Sequence, residues 1–106
     1  MNNEEFLTVV DEVVVKCKKV LNSKGKDYSL EDDRFSNFES AAGLLSCSTK
    51  QALYGMVAKH LVAINDYIDK DADHEYVDKK EWDSKVLDAI NYLFLLYGIL
   101  REEEQV

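Results

Sequence analysis

Proline is absent from this chain, where average usage would place about five, and glycine occurs only four times. Without the residues that stop helices and shape tight turns, the chain is expected to form long uninterrupted helices with few turns. Positive charge is also scarce. Thirteen Lys and Arg stand against 21 Asp and Glu, a net charge of −8 at pH 7. That balance argues against broad binding to a nucleic-acid polymer or to an anionic membrane, both of which need a basic surface. It leaves room for a small phosphorylated ligand held by a local group of lysines. No apolar run approaches the roughly 18 residues of a membrane span, and the opening MNNEEF is acidic where a secretory signal is basic. Two cysteines, Cys17 and Cys47, fit a reduced cytosolic chain at least as well as one disulfide. The expected location is the cytoplasm.

What remains is ordinary globular material. The chain has 106 residues, 46% of them hydrophobic and 32% charged. This is the size of one domain, 1–106, around a single core.

Four segments carry a helical period. In the first, Phe6, Val10, Val13, Cys17 and Val20 recur at alternating spacings of four and three, with Asn2 or Asn3 available as a cap. The second begins at Ser36-Asn37-Phe38-Glu39, which has the form of a capping box. The third opens on a second such box, Ser48-Thr49-Lys50-Gln51, and runs through Leu53, Val57, His60, Leu61 and Ile64. The fourth follows the box-like Asp78-Lys79-Lys80-Glu81. Its stripe is Trp82, Val86, Ala89, Leu93, Leu96 and Leu100, with Ile90, Phe94 and Tyr97 beside it. Helices are expected near 3–22, 36–46, 49–69 and 79–103, packed as an all-α four-helix bundle. The fourth is apolar over most of its circumference, so it is expected to be central or to meet a second copy in a homo-oligomer, most simply a dimer.

Two polar connections separate these segments. Residues 22–35 form a long loop, and loops of that length are often functional. Residues 69–78 form an acidic link whose Asp69, Asp71 and Asp73 imitate the start of a calcium-binding EF-hand loop. The imitation stops at its sixth position, His74 instead of glycine, and at its twelfth, Lys80 instead of glutamate. A solvated acidic link is the better account. Cys17, Cys47, His60 and His74 are too scattered for a zinc site, and His60 reads as a buried, hydrogen-bonded core residue. No nucleophile elbow or phosphate-binding glycine loop occurs, so no catalytic residue is assigned.

Two polar sets remain. Lys16, Lys18, Lys19, Lys24 and Lys26 place five cations within eleven residues of an acidic chain. The bland reading is a solvated helix end favoured by the dipole. Yet Lys24-Gly25-Lys26-Asp27-Tyr28, followed by Arg34, joins cations, a carboxylate and an aromatic, as a phosphate-bearing, stackable ligand requires. The second set, Asp88, Asn91 and Tyr92, lies at i, i+3 and i+4 on one helical face beside the buried seam. An Asp and an Asn there need partners, because unpaired burial costs about 1–3 kcal/mol. A structural polar network or a ligand would supply them. Lys59 is a candidate counter-charge.

Taken together, Lys24-x-Lys26-Asp27-Tyr28, Phe38, Lys59 and Asp88-x-x-Asn91-Tyr92 resemble small phage and prophage proteins related to the MazG-type all-α nucleotide pyrophosphohydrolases and the nucleotide-modification-associated domains. Those families pair a K-x-x-D-Y-like loop with a final helix carrying D-x-x-N-Y. The resemblance covers residues 24–100 and implies a small nucleotide ligand, with Lys24, Lys26, Asp27, Tyr28, Arg34, Lys59, Asp88, Asn91 and Tyr92 as binding residues. It also implies Mg²⁺, held in the enzymes by an E-x-x-E and an E-x-x-D pair. This chain departs there. The last pair falls on Lys85-Val-Leu-Asp88, and the nearest earlier candidates are Glu39-Ser-Ala-Ala42 and Asp66-Tyr-Ile-Asp69. A lysine in place of an anionic ligand removes about two units of favourable charge beside the metal.

Three functional classes follow. One is a phage-encoded protein of the host cytoplasm that captures a phosphorylated or cyclic nucleotide, as an anti-defence sponge would. The second is a divergent Mg²⁺-dependent pyrophosphohydrolase, and the third is a protein–protein interaction module. Degenerate metal ligands beside retained cations favour capture.

Overall fold

The chain forms four helices and, among the described residues, no strand: α1 (Asn3–Tyr28), α2 (Ser36–Leu45), α3 (Thr49–Ala72) and α4 (Lys79–Glu102). The structure is a computed structural model that describes the backbone of residues 1–28 and 33–106 and the side chains of residues 1–23 and 33–106. The all-α, four-helix architecture is the one the periodicity predicts. No helix among the described residues is long and apolar enough to cross a membrane.

Helix boundaries follow local chemistry. Asn2 Oδ1 accepts from the Glu5 N–H at 2.8 Å, which caps α1. Ser48 and Gln51 form the expected reciprocal box, at 3.1 and 2.9 Å, at the start of α3. Asp78 Oδ1 accepts from the Lys80 N–H at 3.0 Å, so α4 has an aspartate cap without the full box. The box expected at Ser36 does not form. The cap position of α2 is Phe35, with no side-chain cap bond, and Asp33 Oδ1 instead accepts from the Phe35 N–H at 3.0 Å.

α1 corrects the sequence reading most. It continues six residues past the expected end, so Lys24, Lys26, Asp27 and Tyr28 belong to its last turns and not to a loop. The one weak residue, Gly25, costs about 1 kcal/mol against alanine, and no proline follows to end the helix. Lysines in the closing turns suit the negative end of the dipole.

Three helices end on non-glycine residues in left-handed conformation: Ser46 (φ 54), His74 (φ 63) and Glu104 (φ 58). After α3, the Glu75 N–H bonds Lys70 C=O at 2.8 Å and the His74 N–H bonds Asp71 C=O at 3.0 Å, a Schellman closure. The same pair of bonds follows α4, from Gln105 to Leu100 and from Glu104 to Arg101. The sharp turn that seemed to need a glycine is therefore made by His74 itself. The acidic link shortens to 73–78.

The core lies where α2, α3 and α4 meet. Phe38, Leu53, Val57 and Ile99 are buried, and Phe35, Met56, Tyr92, Leu95 and Leu96 pack around them. Trp82 meets Tyr67 of α3 edge-on, with ring centroids 5.6 Å apart. This is a contact within the chain. The buried side of α4 also differs from the expected stripe. Ala89 is buried, but Val86 and Leu93 are exposed, and the inward positions are Leu87, Asn91, Tyr92, Leu95 and Ile99.

α1 packs only against α4 among the principal helix pairs. Lys16 Nζ pairs with Asp83 at 3.3 Å, and further along α1, Val20 and Leu21 share a cavity wall with Asp88, Asn91 and Tyr92. Both registers advance together, so α1 runs parallel to α4. Its first turns reach past the start of α4, by about 13 Å at 1.5 Å per residue. Phe6, Leu7 and Val10, expected in the core, are consequently exposed. Cys17 is fully buried at the joint, and burial, helped by the Asp83 carboxylate, pushes its thiol above the ordinary value.

Two measurements check this description. His74→Gly should stabilise the protein by about 0.5–1 kcal/mol in urea titrations, since relief of a left-handed strain of about 1–2 kcal/mol exceeds the added unfolded-state entropy. A lower midpoint would contradict the assigned turn. Under native conditions iodoacetamide should alkylate the half-buried Cys47 before Cys17, as read by mass spectrometry, because the reactive species is the thiolate.

Candidate functional site

One cavity of about 260 Å³ is walled by all four helices. α1 supplies Val20 and Leu21, the entry to α2 supplies Arg34, Asn37 and Phe38, and α3 supplies Met56. α4 contributes Asp88, Asn91, Tyr92 and Leu95. The apolar members continue the core outward, so the cavity is the place where the bundle opens between α1 and α2.

Each polar side chain is positioned by its backbone. Phe35 fastens the segment carrying Arg34 and Asn37. Its C=O accepts from the Phe38 and Glu39 N–H groups, both at 3.0 Å, and its ring lies on Gly98 of α4. A Cβ at Gly98 would stand 2.8 Å from Phe35 Cζ, so the absence of a side chain there is what lets the ring approach. Beside Arg34 in sequence, the Asp33 carboxylate raises the Glu39 carboxyl above its usual range, assisted by partial desolvation, a hydrogen bond that protonated Glu39 donates to Asp33, and the charge of Glu102.

Asn91 is the unusual member. It is the one buried polar side chain among the described residues, at 5% exposure. Neither its Nδ2 nor its Oδ1 has a hydrogen-bond partner among the described residues, and Asn37 Oδ1 is in the same condition. Buried amide atoms are ordinarily satisfied, and each failure costs about 1–3 kcal/mol. The structural network expected to serve Asn91 is not formed by the described residues.

His60 departs from its expected role. It is half-buried, but its Nδ1 makes no hydrogen bond among the described residues. Nδ1 stands 3.8 Å from Asp88 Oδ2, too far for a hydrogen bond and close enough for an ion pair when the imidazole is protonated. Its ring faces that of Tyr92, with centroids 5.2 Å apart. Lys59, the proposed counter-charge, is exposed and is not part of the cavity wall. A shift of one residue on a helix turns the side chain by about 100°, and this places His60 toward Asp88 in its stead.

Of the residues the sequence singles out, Arg34, Asp88, Asn91 and Tyr92 come together on one wall. The side chains of Lys24, Lys26, Asp27 and Tyr28 lie outside the described residues. Their backbone extends the same helix that brings Val20 and Leu21 to the cavity. Asn37 escaped the sequence reading as a site residue. Asn37 sits inside an apparent capping box, and only its proximity to Arg34 hinted at another role.

The described donor set does not by itself fit a resident Mg²⁺. Among the described residues Asp88 is the one carboxylate on the cavity wall, and no three His, Cys, Asp or Glu side chains gather anywhere to hold a metal. Compared with family models, curated proteins and solved structures, the chain finds no match in any of the three.

A structural asparagine and a ligand-reading one differ in a measurable way. Asn91→Leu should leave unfolding free energy unchanged or raise it by up to about 1 kcal/mol, because it removes unpartnered polar atoms. A loss of about 2 kcal/mol in chemical denaturation would mean that Asn91 is a bonded part of the core.

Proposed function

We propose that this chain is a phage-type helical nucleotide-binding protein that captures a phosphorylated or cyclic nucleotide without hydrolysing it, in the manner of an anti-defence sponge. The observation that carries the reading is Asn91, a buried carboxamide with no partner among the described residues, on the wall of a cavity that also carries Arg34. Arg34 supplies a guanidinium suited to a phosphate, whose charge-assisted bonds are worth about 1.5–3 kcal/mol each. Tyr92 offers a ring face. The net charge of −8 gives anions no long-range attraction, so affinity rests on these close contacts. Capture is preferred to hydrolysis because a single described carboxylate, Asp88, cannot replace the four-carboxylate set of the enzymes this sequence resembles.

Self-association is assigned to the outer face of α4. Ile90, Leu93, Phe94 and Tyr97 form an open apolar groove there, closed at one end by Arg101, whose guanidinium lies 5.7 Å from the Tyr97 ring centre. A cation at the end of an apolar groove suits an acidic chain such as a second copy.

Purified protein incubated with nucleoside mono-, di- and triphosphates and cyclic nucleotides, with and without Mg²⁺, should bind at least one and return it chemically intact by chromatography. Turnover would establish the pyrophosphohydrolase instead, and silence throughout would favour the interaction module. Arg34→Ala should weaken binding by about tenfold or more while changing stability by less than about 0.5 kcal/mol. Phe94→Lys should convert a dimer into a 12.2 kDa species in light scattering.

A further inference from the structure

Resting on that reading, the polar pattern inside the cavity narrows the ligand. Asn91 presents one acceptor and one donor group side by side, and Asn37 adds a second buried acceptor, all three without partners among the described residues. A complementary ligand edge must therefore donate twice and accept once. The bases differ in this respect. Adenine and cytosine carry an amino group beside a ring-nitrogen acceptor, and guanine carries two adjacent donors beside a carbonyl. Uracil, thymine and hypoxanthine offer only one donor on that edge, so a carbonyl would face the Asn37 oxygen.

Size points the same way. A cavity of about 260 Å³ is below the roughly 300–1,000 Å³ typical of sites that enclose a whole drug-sized ligand. It accommodates one ring system and leaves sugar and phosphate outside it, within reach of Arg34. We infer that the cavity is a base-reading subsite selective for a nucleotide whose base carries an amino group beside a ring-nitrogen acceptor, as adenine and cytosine do, with Asn91 pairing to that edge and Asn37 accepting the second amino hydrogen. The carboxamide is suited to this task, as its bidentate pairing with adenine in nucleic-acid recognition illustrates.

The test uses matched pairs that differ at the amino group. Calorimetric titration of the full chain with CMP against UMP, and with AMP against IMP, should show the amino member bound at least tenfold more tightly in one pair or both. A site built to bond an N–H rejects the analogue lacking it, because its own groups are then left unpaired. Asn37→Ala, on a half-buried residue, should reduce that ratio below threefold. Equal affinities within both pairs, or a preference for UMP and IMP, would overturn the base-reading assignment and leave nucleotide capture standing. Binding of none of the four nucleotides nor of pyrophosphate would overturn both.

Discussion

The packing of α4 against α3 is the interaction on which everything else depends. Ile99, Leu96, Leu95 and Tyr92 bring one face of α4 onto Leu53, Val57 and Phe38. Phe38 ties α2 into the same core, and on its other side α4 receives α1 through Cys17. A buried aliphatic side chain of this kind contributes about 1.5–3 kcal/mol, so a few of them hold the bundle together. Exposed ion pairs such as Lys16–Asp83 add at most about 1 kcal/mol. Core and site are not separate regions. Asn91 and Asp88 lie one and two turns before Leu95 on the same face, and the packing that buries Leu95 also points them into the cavity.

That arrangement has an energetic consequence. Satisfying the Asn91 amide inside the protein would take a well-aligned hydrogen bond, and although Arg34, Asn37 and Asp88 line the same cavity, no described residue makes one. An unpartnered amide is maintained only because the surrounding packing is strong enough to tolerate it. Such local costs recur where a protein is built to receive something. His60 belongs to the same pattern. It is held against Tyr92, and its Nδ1 stands 3.8 Å from Asp88 without a hydrogen bond among the described residues.

α1 behaves differently from the other helices. It is the longest, yet only its middle and later turns meet the bundle, and its first turns carry exposed Phe6, Leu7 and Val10 past the start of α4. Its contribution is to close one side of the cavity with Val20 and Leu21. Helix length and tertiary contact are thus decoupled here. An amphipathic stripe is necessary for packing but does not guarantee a surface to pack on.

The sequence by itself determined the number of helices, most of their boundaries and that Asp88, Asn91 and Tyr92 share one face of α4. These are matters of local period, capping chemistry and residues at i, i+3 and i+4, and they need no knowledge of the partner helix. It was poorer at the end of α1, where the polar run from residue 22 was read as a loop although its one glycine costs little against helix-forming neighbours. Only the tertiary structure decided which face of α4 is buried, because that helix is apolar nearly all round and its period fits more than one stripe. It likewise decided that His60 and not Lys59 faces Asp88, that Asn37 joins Asn91, and that Phe6 and Val10 stay outside. Each of these depends on how far one helix is shifted and rotated against another. Side-chain volumes such as the bare Gly98 beneath Phe35 set those quantities, and no periodicity along a single segment encodes them.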